Sequence, residues 1–316
     1  MNQGMNQKMN QKMNQSMNPR INQKTNTKKM KSNMKEKIMS SVFMMVALTS
    51  IIAVLLICIF LFANGVPAMR KIGFFAFLFG QEWSPSDMPP VFGIFSMILG
   101  SLYVTGGAIL FGVPIGVLTA IYMAKMCPKR IYKFMKPALD LLAGIPSIVY
   151  GFFGLMVLVP IVQELFGGTG KSILTASILL GIMILPTIIG ISESAIRAIP
   201  DSYYEGAVAL GASHNRAVYF AVVPAAKSGI FASIVLGIGR AIGETMAVIM
   251  VAGNQARIPN GILRGVRTLT ANIVIEMGYA AELHREALIA TGVVLFVFIL
   301  IINLSFSIIS GRSKKS

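Results

Sequence analysis

The stretch GIGRAIGETMAV, residues 237–248, lies within an apolar run from about residue 226 to residue 252 that is long enough to cross a bilayer. It carries Arg240 and Glu244, four residues apart. In a helix this spacing places both side chains on one face, one turn apart, where they can touch. A charged side chain at the centre of a membrane helix costs roughly 2.5–3.5 kcal/mol. Both charges are therefore expected to face protein or water rather than lipid.

Two interpretations of these charges follow. In the first, Arg240 and Glu244 form a structural ion pair that neutralises itself and holds helices together. In the second, Arg240, Glu244 and Thr245 line a path for a charged or polar solute. A buried ion pair is often no more stable than two apolar side chains, and the small residues around this pair let a backbone or a solute approach closely. The stretch therefore favours a pathway and leaves the ion pair as the alternative.

The composition predicts an all-α integral membrane protein. The 316 residues are 55% hydrophobic and 13% charged, and the mean hydropathy is +0.71, whereas a soluble domain carries about 25% charged residues. The formal net charge of +16 comes from basic residues in the N-terminal tail and in short loops beside apolar runs. This is the pattern of membrane topology rather than of nucleic-acid binding.

Six apolar runs predict six transmembrane helices, at about residues 38–63, 95–123, 138–162, 173–191, 226–252 and 288–309. Lys and Arg are concentrated on the side of the membrane that holds both termini. The positive-inside rule then predicts a multi-pass protein of the cell membrane with cytoplasmic N- and C-termini.

The runs divide the chain into five parts. Residues 1–35 are rich in Met, Asn, Gln and Lys without apolar periodicity, which predicts a disordered tail. Residues 36–66 form the first transmembrane helix, and residues 67–94 form an external loop whose apolar segment lies at the membrane interface. The core of five transmembrane helices follows at residues 95–310, and residues 311–316 form a basic cytoplasmic tail.

The loop between the fourth and fifth runs, residues 201–224, has helix signals of its own. Ser202 and Glu205 have the spacing of a capping box, which predicts a helix start. Gly211 can end that helix in the left-handed conformation, and Ser213 is a candidate N-cap of a second short helix. These residues alone favour an ordinary helical hairpin that packs on its own protein.

The same loop resembles the EAA loop of ABC importer permeases. The resemblance rests on Glu205, Gly206, Ala207, Gly211 and Pro224, although Gly206 departs from the usual second residue of the motif. In that family the loop is the coupling helix, which docks into a groove on a cytoplasmic ATPase. The resemblance therefore assigns these five residues to ATPase coupling.

Further stretches are similar to phosphate permeases. Residues 143–155, AGIPSIVYGFFGL, resemble the third span of those permeases, and residues 239–248 resemble the PstC-type subunit rather than its PstA-type partner. Residues 79–85 and 268–273 agree with this assignment. The resemblance covers about residues 38–310.

The resemblance implies a type I ABC importer permease fold and the permease subunit of an ATP-driven, high-affinity phosphate importer. Its partners would be a PstA-type permease chain as heterodimer, two copies of a cytoplasmic ATPase, and an extracytoplasmic phosphate-binding protein. Mg²⁺ and ATP would be used by the ATPase, and this chain would bind no cofactor. A permease for sulfate, molybdate or phosphonate stays open as an alternative, as does an ATP-independent carrier.

Intrinsic enzyme activity is not expected. The segment GGTGKS, residues 167–172, resembles the end of a phosphate-binding P-loop, but the pattern requires glycine where Leu165 stands. His214 and His284 have no metal-ligating neighbours at suitable spacing, so no metal site is predicted. The sequence shows no nucleophile–base constellation, so no catalytic residue is assigned, and ATP hydrolysis must come from a partner.

Overall fold

A computed structural model describes the backbone of residues 3–312 and the side chains of residues 9, 35–305 and 308. The chain divides into two compact units, Met1–Phe60 and Leu61–Ser316. In the first unit the described residues belong to helix α1, which runs Gln3–Ile72. From residue 35 to residue 60 its side chains are exposed, apart from the half-buried Cys58. This long exposed apolar surface is typical of a helix that meets lipid.

Residues 1–35 were predicted to form a disordered tail, but the structure shows residues 3–35 as helix. Helix α1 begins at Gln3 and includes the rest of that segment, while residues 1 and 2 lie outside the described residues. Met, Gln and Lys are good helix formers, and extending an existing helix needs no new nucleus. Of the predicted C-terminal tail, residues 313–316 are likewise outside the described residues, and the last helix includes residues 311 and 312.

The second unit is mostly helical, with one short hairpin and a long loop at residues 252–268. Its elements after α1 are, in order, α2 Phe74–Phe79, β1 Trp83–Ser84, β2 Val91–Phe92, α3 Phe95–Ile121, α4 Lys129–Gly144, α5 Ser147–Phe153, α6 Val159–Phe166, α7 Ile173–Arg197, α8 Asp201–Ala209, α9 His214–Ala217, α10 Val223–Ala225, α11 Lys227–Gly243, α12 Met246–Val251, α13 Leu269–Glu276 and α14 Glu282–Arg312. Strands β1 and β2 pair antiparallel. The described chain also has three π-helical turns. Tyr122–Met126 follows α3, Gly154–Leu158 joins α5 to α6, and Val218–Val222 joins α9 to α10.

The structure confirms a multi-span, all-α membrane protein. Within the described part of the chain, five helical segments are long and apolar enough to cross a bilayer: Lys35–Ile72, Phe95–Met126, Ser147–Phe166, Ile173–Arg197 and Glu282–Ser305. The number reaches six when the pair His214–Ala225 and Lys227–Gly243, bent by 69°, is taken as one span. The predicted number of six therefore holds only with this bent pair included.

The predicted third span, residues 138–162, has the wrong bounds. Helix α4 ends at Gly144, Ile145 is extended with φ −68° and ψ 127°, and Pro146 precedes α5. Proline disfavours the helical conformation of the residue before it, which explains the break. The span is Ser147–Phe166 instead, and residues 138–144 belong to α4.

The predicted fifth span, residues 226–252, is also divided. Helix α11 ends at Gly243, Glu244 is extended with φ −69° and ψ 131°, and α12 begins at Met246. The 17 residues of α11 rise about 25 Å, at 1.5 Å per residue. This is slightly less than the hydrocarbon thickness of about 30 Å, so a helix of this length that starts at one membrane boundary would end before it reached the other.

Helix α7 is the centre of the second unit, with α3 and α11 packed on it. A Cβ atom on Gly107 of α3 would overlap the Ser177 hydroxyl oxygen, and that hydroxyl donates to the Val104 carbonyl at 3.1 Å. A Cβ atom on Gly237 of α11 would lie 2.9 Å from Ile188 of α7. Small residues thus bring these helix backbones into close contact, as is common within membranes.

The predicted interfacial segment of the first loop forms the short helix α2. Phe77 is buried, whereas Phe74, Phe75 and Phe79 are exposed. The hairpin of β1 and β2 follows directly. The position of α2 at the membrane interface stays a prediction.

A buried polar cluster joins the loops at the end of the spans where this hairpin lies. The Trp83 indole N–H donates to Glu276 Oε2 at 2.8 Å, and Arg267 Nη1 donates to Glu276 Oε1 at 2.5 Å. His284 Nε2 lies 2.8 Å from Glu276 Oε2, and Asn272 Oδ1 accepts from Arg267 at 3.0 Å. One carboxylate therefore holds together the hairpin, α13 and α14.

The phenol of Tyr279 lies at the exposed edge of this cluster. Burial raises the pKa of Tyr279, and the Glu276 carboxylate adds to the shift. Its ring centroid lies 5.9 Å from that of His284. Tyr279 therefore stays neutral beside the cluster at physiological pH.

We expect Glu276→Ala to lower the free energy of unfolding by about 3 kcal/mol, because it leaves the mostly buried Arg267 cation without its carboxylate. Glu286→Ala is the matched control, since the Lys71–Glu286 pair is well exposed and such pairs contribute less than about 1 kcal/mol. Thermal or denaturant unfolding of the purified protein measures both changes. Equal effects of the two substitutions would contradict this assignment.

Candidate functional site

The break between α11 and α12 is stabilised by the side chain of Glu244. Its Oε1 atom accepts hydrogen bonds from the backbone N–H of Thr245 at 3.1 Å and of Ala247 at 3.3 Å. The Thr270 hydroxyl of α13 donates to the Glu244 carbonyl at 3.1 Å. Glu244 thus acts as the cap of α12, and backbone groups freed by the break find partners within the protein.

Arg240 lies in the last turn of α11 and does not pair with Glu244. Its Nη1 atom donates to the Thr187 hydroxyl of α7 at 3.1 Å. Among the residues with described side chains, no carboxylate lies within ion-pair distance of Arg240. The prediction that Arg240 and Glu244 share one helical face is wrong, because the helix ends at Gly243 and Glu244 turns towards α12.

The separated charges leave the Arg240 cation beside the break with spare donors. A guanidinium has five N–H donors, and the one contact found for Arg240 uses a single neutral hydroxyl. Both hydrogen bonds to Glu244 go to Oε1, so Oε2 can accept another. Arg240, Glu244 and Thr245 are half-buried. The arrangement can bind an anion through Arg240 and can accept a proton-bearing group through Glu244.

Thr187 is a residue that the sequence did not single out for this site. It follows Pro186 within α7, which remains one helix through Ile173–Arg197. The one feature of the sequence that could have pointed to Thr187 is that it is a polar residue directly after a proline in an apolar run. The signal is weak, because threonine hydroxyls in helices usually bond to their own backbone.

The broken span packs tightly on α5. A Cβ atom on Gly151 would lie 2.9 Å from Ala247 Cα and 2.8 Å from Met250 Sδ. Gly151 belongs to the stretch 143–155 that the sequence marks as distinctive. The two stretches are therefore neighbours in space.

The second predicted site, residues 201–224, forms a helical hairpin. Helix α8 ends in a Schellman motif, in which Ala212 N–H donates to the Ala207 carbonyl at 3.1 Å and Gly211 N–H to the Val208 carbonyl at 2.9 Å. Gly211 has φ +85°, so the prediction that it ends the helix is confirmed. Ser213 holds the predicted N-cap position of α9, but its side chain makes no capping hydrogen bond.

The predicted capping box is wrong. Pro200 occupies the N-cap position of α8, and no side chain caps that helix end. Asp201, in the first turn, instead faces Lys125 at 3.4 Å. The fixed φ of proline already suits the start of a helix, and an acidic residue in the first turn complements the helix dipole.

The hairpin exposes apolar side chains at its turn. Leu210 is 91% exposed and Phe220 is 79% exposed. Tyr204 and His214 join the two helices through a hydrogen bond of 2.9 Å. This is a preformed surface with exposed apolar anchors, as at protein interfaces. An open groove of about 410 Å³ is lined by residues on both sides of the turn: Ala207, Leu210, Gly211, Ala212, Arg216, Phe220 and Ala221.

The residues assigned to ATPase coupling lie on this hairpin. Glu205, Gly206, Gly211 and Pro224 are exposed, and Ala207 is half-buried. The hairpin and the break at Glu244 are joined by α11. The predicted pathway residues therefore lie together at one end of α11, and the predicted coupling residues lie together on the hairpin at its other end.

The sequence of residues 112–315 matches the model of one family, the binding-protein-dependent transport system inner membrane component. The chain belongs to this family. It is a permease subunit of an ABC importer.

Curated relatives share most of the permease sequence. The chain is similar to the probable ABC transporter permease protein YqgH of Bacillus subtilis, 38% identical over 85% of this chain and 88% of that protein. It is similar to the phosphate transport system permease protein PstC of Mesorhizobium japonicum, 34% identical over 78% of this chain and 81% of that one. PstC 2 of Mycobacterium tuberculosis is 31% identical over 83% and 88% of the two chains.

Solved structures share the permease fold. A chain of the bacterial alginate ABC transporter in complex with its periplasmic protein has a TM-score of 0.57 and 18% identity, over 84% of this chain and 95% of that one. A chain of the MetNI methionine ABC transporter in an inward-facing conformation has a TM-score of 0.56 and 19% identity, over 69% and 94%. The prediction of an ABC importer permease fold is confirmed.

We expect Glu244→Gln to keep the cap of α12, since the amide carbonyl still accepts, and Glu244→Leu to lose it at a cost of about 1 kcal/mol. Hydrogen exchange at the Ala247 amide should be faster only in Glu244→Leu. Glu164→Leu, which removes an exposed acid on α6, is the control. Fast exchange in Glu244→Gln as well would show that charge, rather than an acceptor, holds the break.

Proposed function

We propose that this chain is the permease subunit of an ATP-driven phosphate importer and forms half of the translocation path. A PstA-type permease chain would supply the other half, two copies of a cytoplasmic ATPase would drive it, and an external binding protein would deliver phosphate. In this proposal both termini are cytoplasmic, so the 201–224 hairpin faces the cytoplasm and the polar cluster around Glu276 faces outward.

The observation that carries the proposal is the state of Arg240. Its guanidinium lies at the end of a broken helix, and only a neutral Thr187 hydroxyl binds it among the side chains described. In this proposal the cation lies at membrane depth, where an unpaired charge is costly, up to roughly 2.5–3.5 kcal/mol at the centre of a span, and a structural ion pair with Glu244 does not explain it. A passing anion does, because the planar guanidinium suits oxyanions.

Phosphate is favoured over other oxyanions by two facts. The chain is similar to relatives named PstC in several bacteria. A carboxylate at Glu244, half-buried a few residues from Arg240, can accept a hydrogen bond from a protonated phosphate. A fully ionised sulfate has no proton to offer, so the same carboxylate disfavours it by like-charge repulsion.

The coupling role of the hairpin is supported by its shape. The preformed turn at Gly211 presents Leu210 and Phe220 to solvent, and α11 leads from the hairpin to the break at Glu244. Displacement of the hairpin by an ATPase would act on that break through α11. Rigid-body motion of packed helices is a common way to carry such a change.

We expect Arg240→Gln to lower phosphate uptake about tenfold or more, since losing about 1.4 kcal/mol of anion stabilisation slows a step tenfold. Uptake of labelled phosphate by cells, corrected for the amount of protein in the membrane, measures this. Lys37→Gln is the control, because Lys37 is an exposed cation before the first apolar run. Uptake at wild-type rates in both Arg240→Gln and Glu244→Gln would exclude a pathway role.

We expect Gly211→Val to uncouple ATP hydrolysis from uptake without preventing membrane insertion. Gly211 has φ +85° and no heavy atom within 4 Å of its would-be Cβ, so the effect is one of backbone strain, about 1–2 kcal/mol. Gly211→Asn is the matched control, since asparagine tolerates this conformation. ATPase rate and uptake are compared in vesicles that contain the reconstituted complex. Unchanged coupling in Gly211→Val would contradict docking at this turn.

A further inference from the structure

Helix α4, Lys129–Gly144, has three distinct faces. At about 100° per residue, one face carries the side chains that pack on the protein, Tyr132, Met135 and Leu139. No residue of α4 is fully buried. The helix therefore lies on the surface of the unit and contacts it along one side.

The face that contacts the protein is anchored by charge as well as by packing. Lys136 Nζ lies 3.5 Å from Oε2 of Glu193 on α7, and Arg197 lies over the Tyr132 ring at 4.7 Å. A hydrogen bond to Glu193 raises the pKa of Tyr132, and burial adds to the shift. The orientation of α4 about its axis is fixed by these contacts, which also fixes where its other two faces point.

The second face of α4 is apolar and open. Phe134 is 79% exposed, Leu141 is 74% exposed and Ile131 is 46% exposed. On a helix these three positions fall within about 80° of one another. Three large side chains on one exposed stripe mark a surface that another apolar phase or partner covers in the native state.

The third face is basic. Lys129, Arg130 and Lys133 are exposed, and within the described residues Lys136 is the one α4 cation that takes part in an ion pair. The sole acid of the helix, Asp140, already lies 3.7 Å from Lys136. Three cations on α4 therefore remain for a partner outside the described part of the chain.

We propose that α4 lies in the membrane–water interface, with Ile131, Phe134 and Leu141 in the acyl boundary and with Lys129, Arg130 and Lys133 bound to anionic lipid headgroups. Basic amphipathic helices bind membranes by this combination of apolar burial and attraction to anionic lipid. This inference is independent of the transported solute.

The position of α4 in the chain argues for lipid rather than a protein partner. It connects the end of the Phe95–Met126 span to the start of the Ser147–Phe166 span, so both of its ends are held at a membrane boundary. The basic face complements the charge of phosphate headgroups. Its cations adjoin the apolar stripe, so in a helix parallel to the bilayer their charged ends can reach the headgroups while the stripe faces the acyl chains. Coverage of this face by protein instead of lipid is an outcome that the test detects.

The test uses the fluorescence of a tryptophan placed on the apolar stripe. Trp83 is the single tryptophan of the chain, so the wild type supplies the background for Phe134→Trp. The full chain is reconstituted in vesicles that contain brominated phosphatidylglycerol or, separately, brominated phosphatidylcholine at the same fraction. We expect bromine to quench the emission of the introduced tryptophan in both, and more strongly with the anionic lipid.

Removing the charges should remove the preference. Lys129→Gln, Arg130→Gln and Lys133→Gln together, in the Phe134→Trp chain, should equalise the two lipids, since each basic residue near an anionic surface is worth about a fivefold preference. The control variant, in the same Phe134→Trp chain, should retain the preference. It removes three exposed cations from other loops, Lys171→Gln, Arg257→Gln and Arg264→Gln.

Three results would overturn the proposal. Equal quenching by both lipids in the Phe134→Trp chain with all its cations present would show that α4 lies in the bilayer without selecting headgroups. Absence of quenching by either lipid, with wild-type folding by circular dichroism, would show that protein or water covers Phe134. A fall in preference of similar size in both triple variants would assign the effect to net charge rather than to α4.

Discussion

The structure depends on satisfying the backbone where a membrane helix is interrupted. Lipid offers no hydrogen bonds, so each freed N–H and C=O at that depth costs several kcal/mol unless the protein supplies a partner. At the break after Gly243, Glu244 supplies an acceptor for two N–H groups, and Thr270 supplies a donor for the Glu244 carbonyl. Helix α13 is therefore tied to the interruption between α11 and α12. The hairpin of β1 and β2 is tied to it in turn, through the contact of Trp83 with Glu276 of α13.

That use of Glu244 explains why the arginine four residues earlier is left without an acid. A carboxylate that turns to cap α12 is no longer on the face of α11 that carries Arg240. The guanidinium then bonds to Thr187 on α7, the most central helix of the unit. A continuous helix would have neutralised both charges, whereas the interrupted one keeps a cation and an acceptor available at the same depth.

The sequence predicted what depends on composition and on local backbone preference. The apolar runs give the spans, and the left-handed Gly211 ends α8 as expected. The breaks were harder to predict, because proline is ambiguous in membrane helices: Pro146 lies in the break between α4 and α5, while Pro114 and Pro186 lie inside the unbroken helices α3 and α7. The break at Gly243 has no proline at all. It combines the local hydrogen bonds to Glu244 with a contact to Thr270, 26 residues away. The Trp83–Glu276 contact spans 193 residues, and no local period can reveal contacts at such separations.

The contact of Gly107 with Ser177 limits how this molecule can move. With so little space between the two backbones, α3 and α7 can part only by breaking the hydrogen bond from Ser177 to Val104. Helix α12 packs just as closely onto α5 at Gly151. Because α3, α5, α7 and α12 share one hydrophobic core cluster, a shift of any one of these helices requires the others to repack.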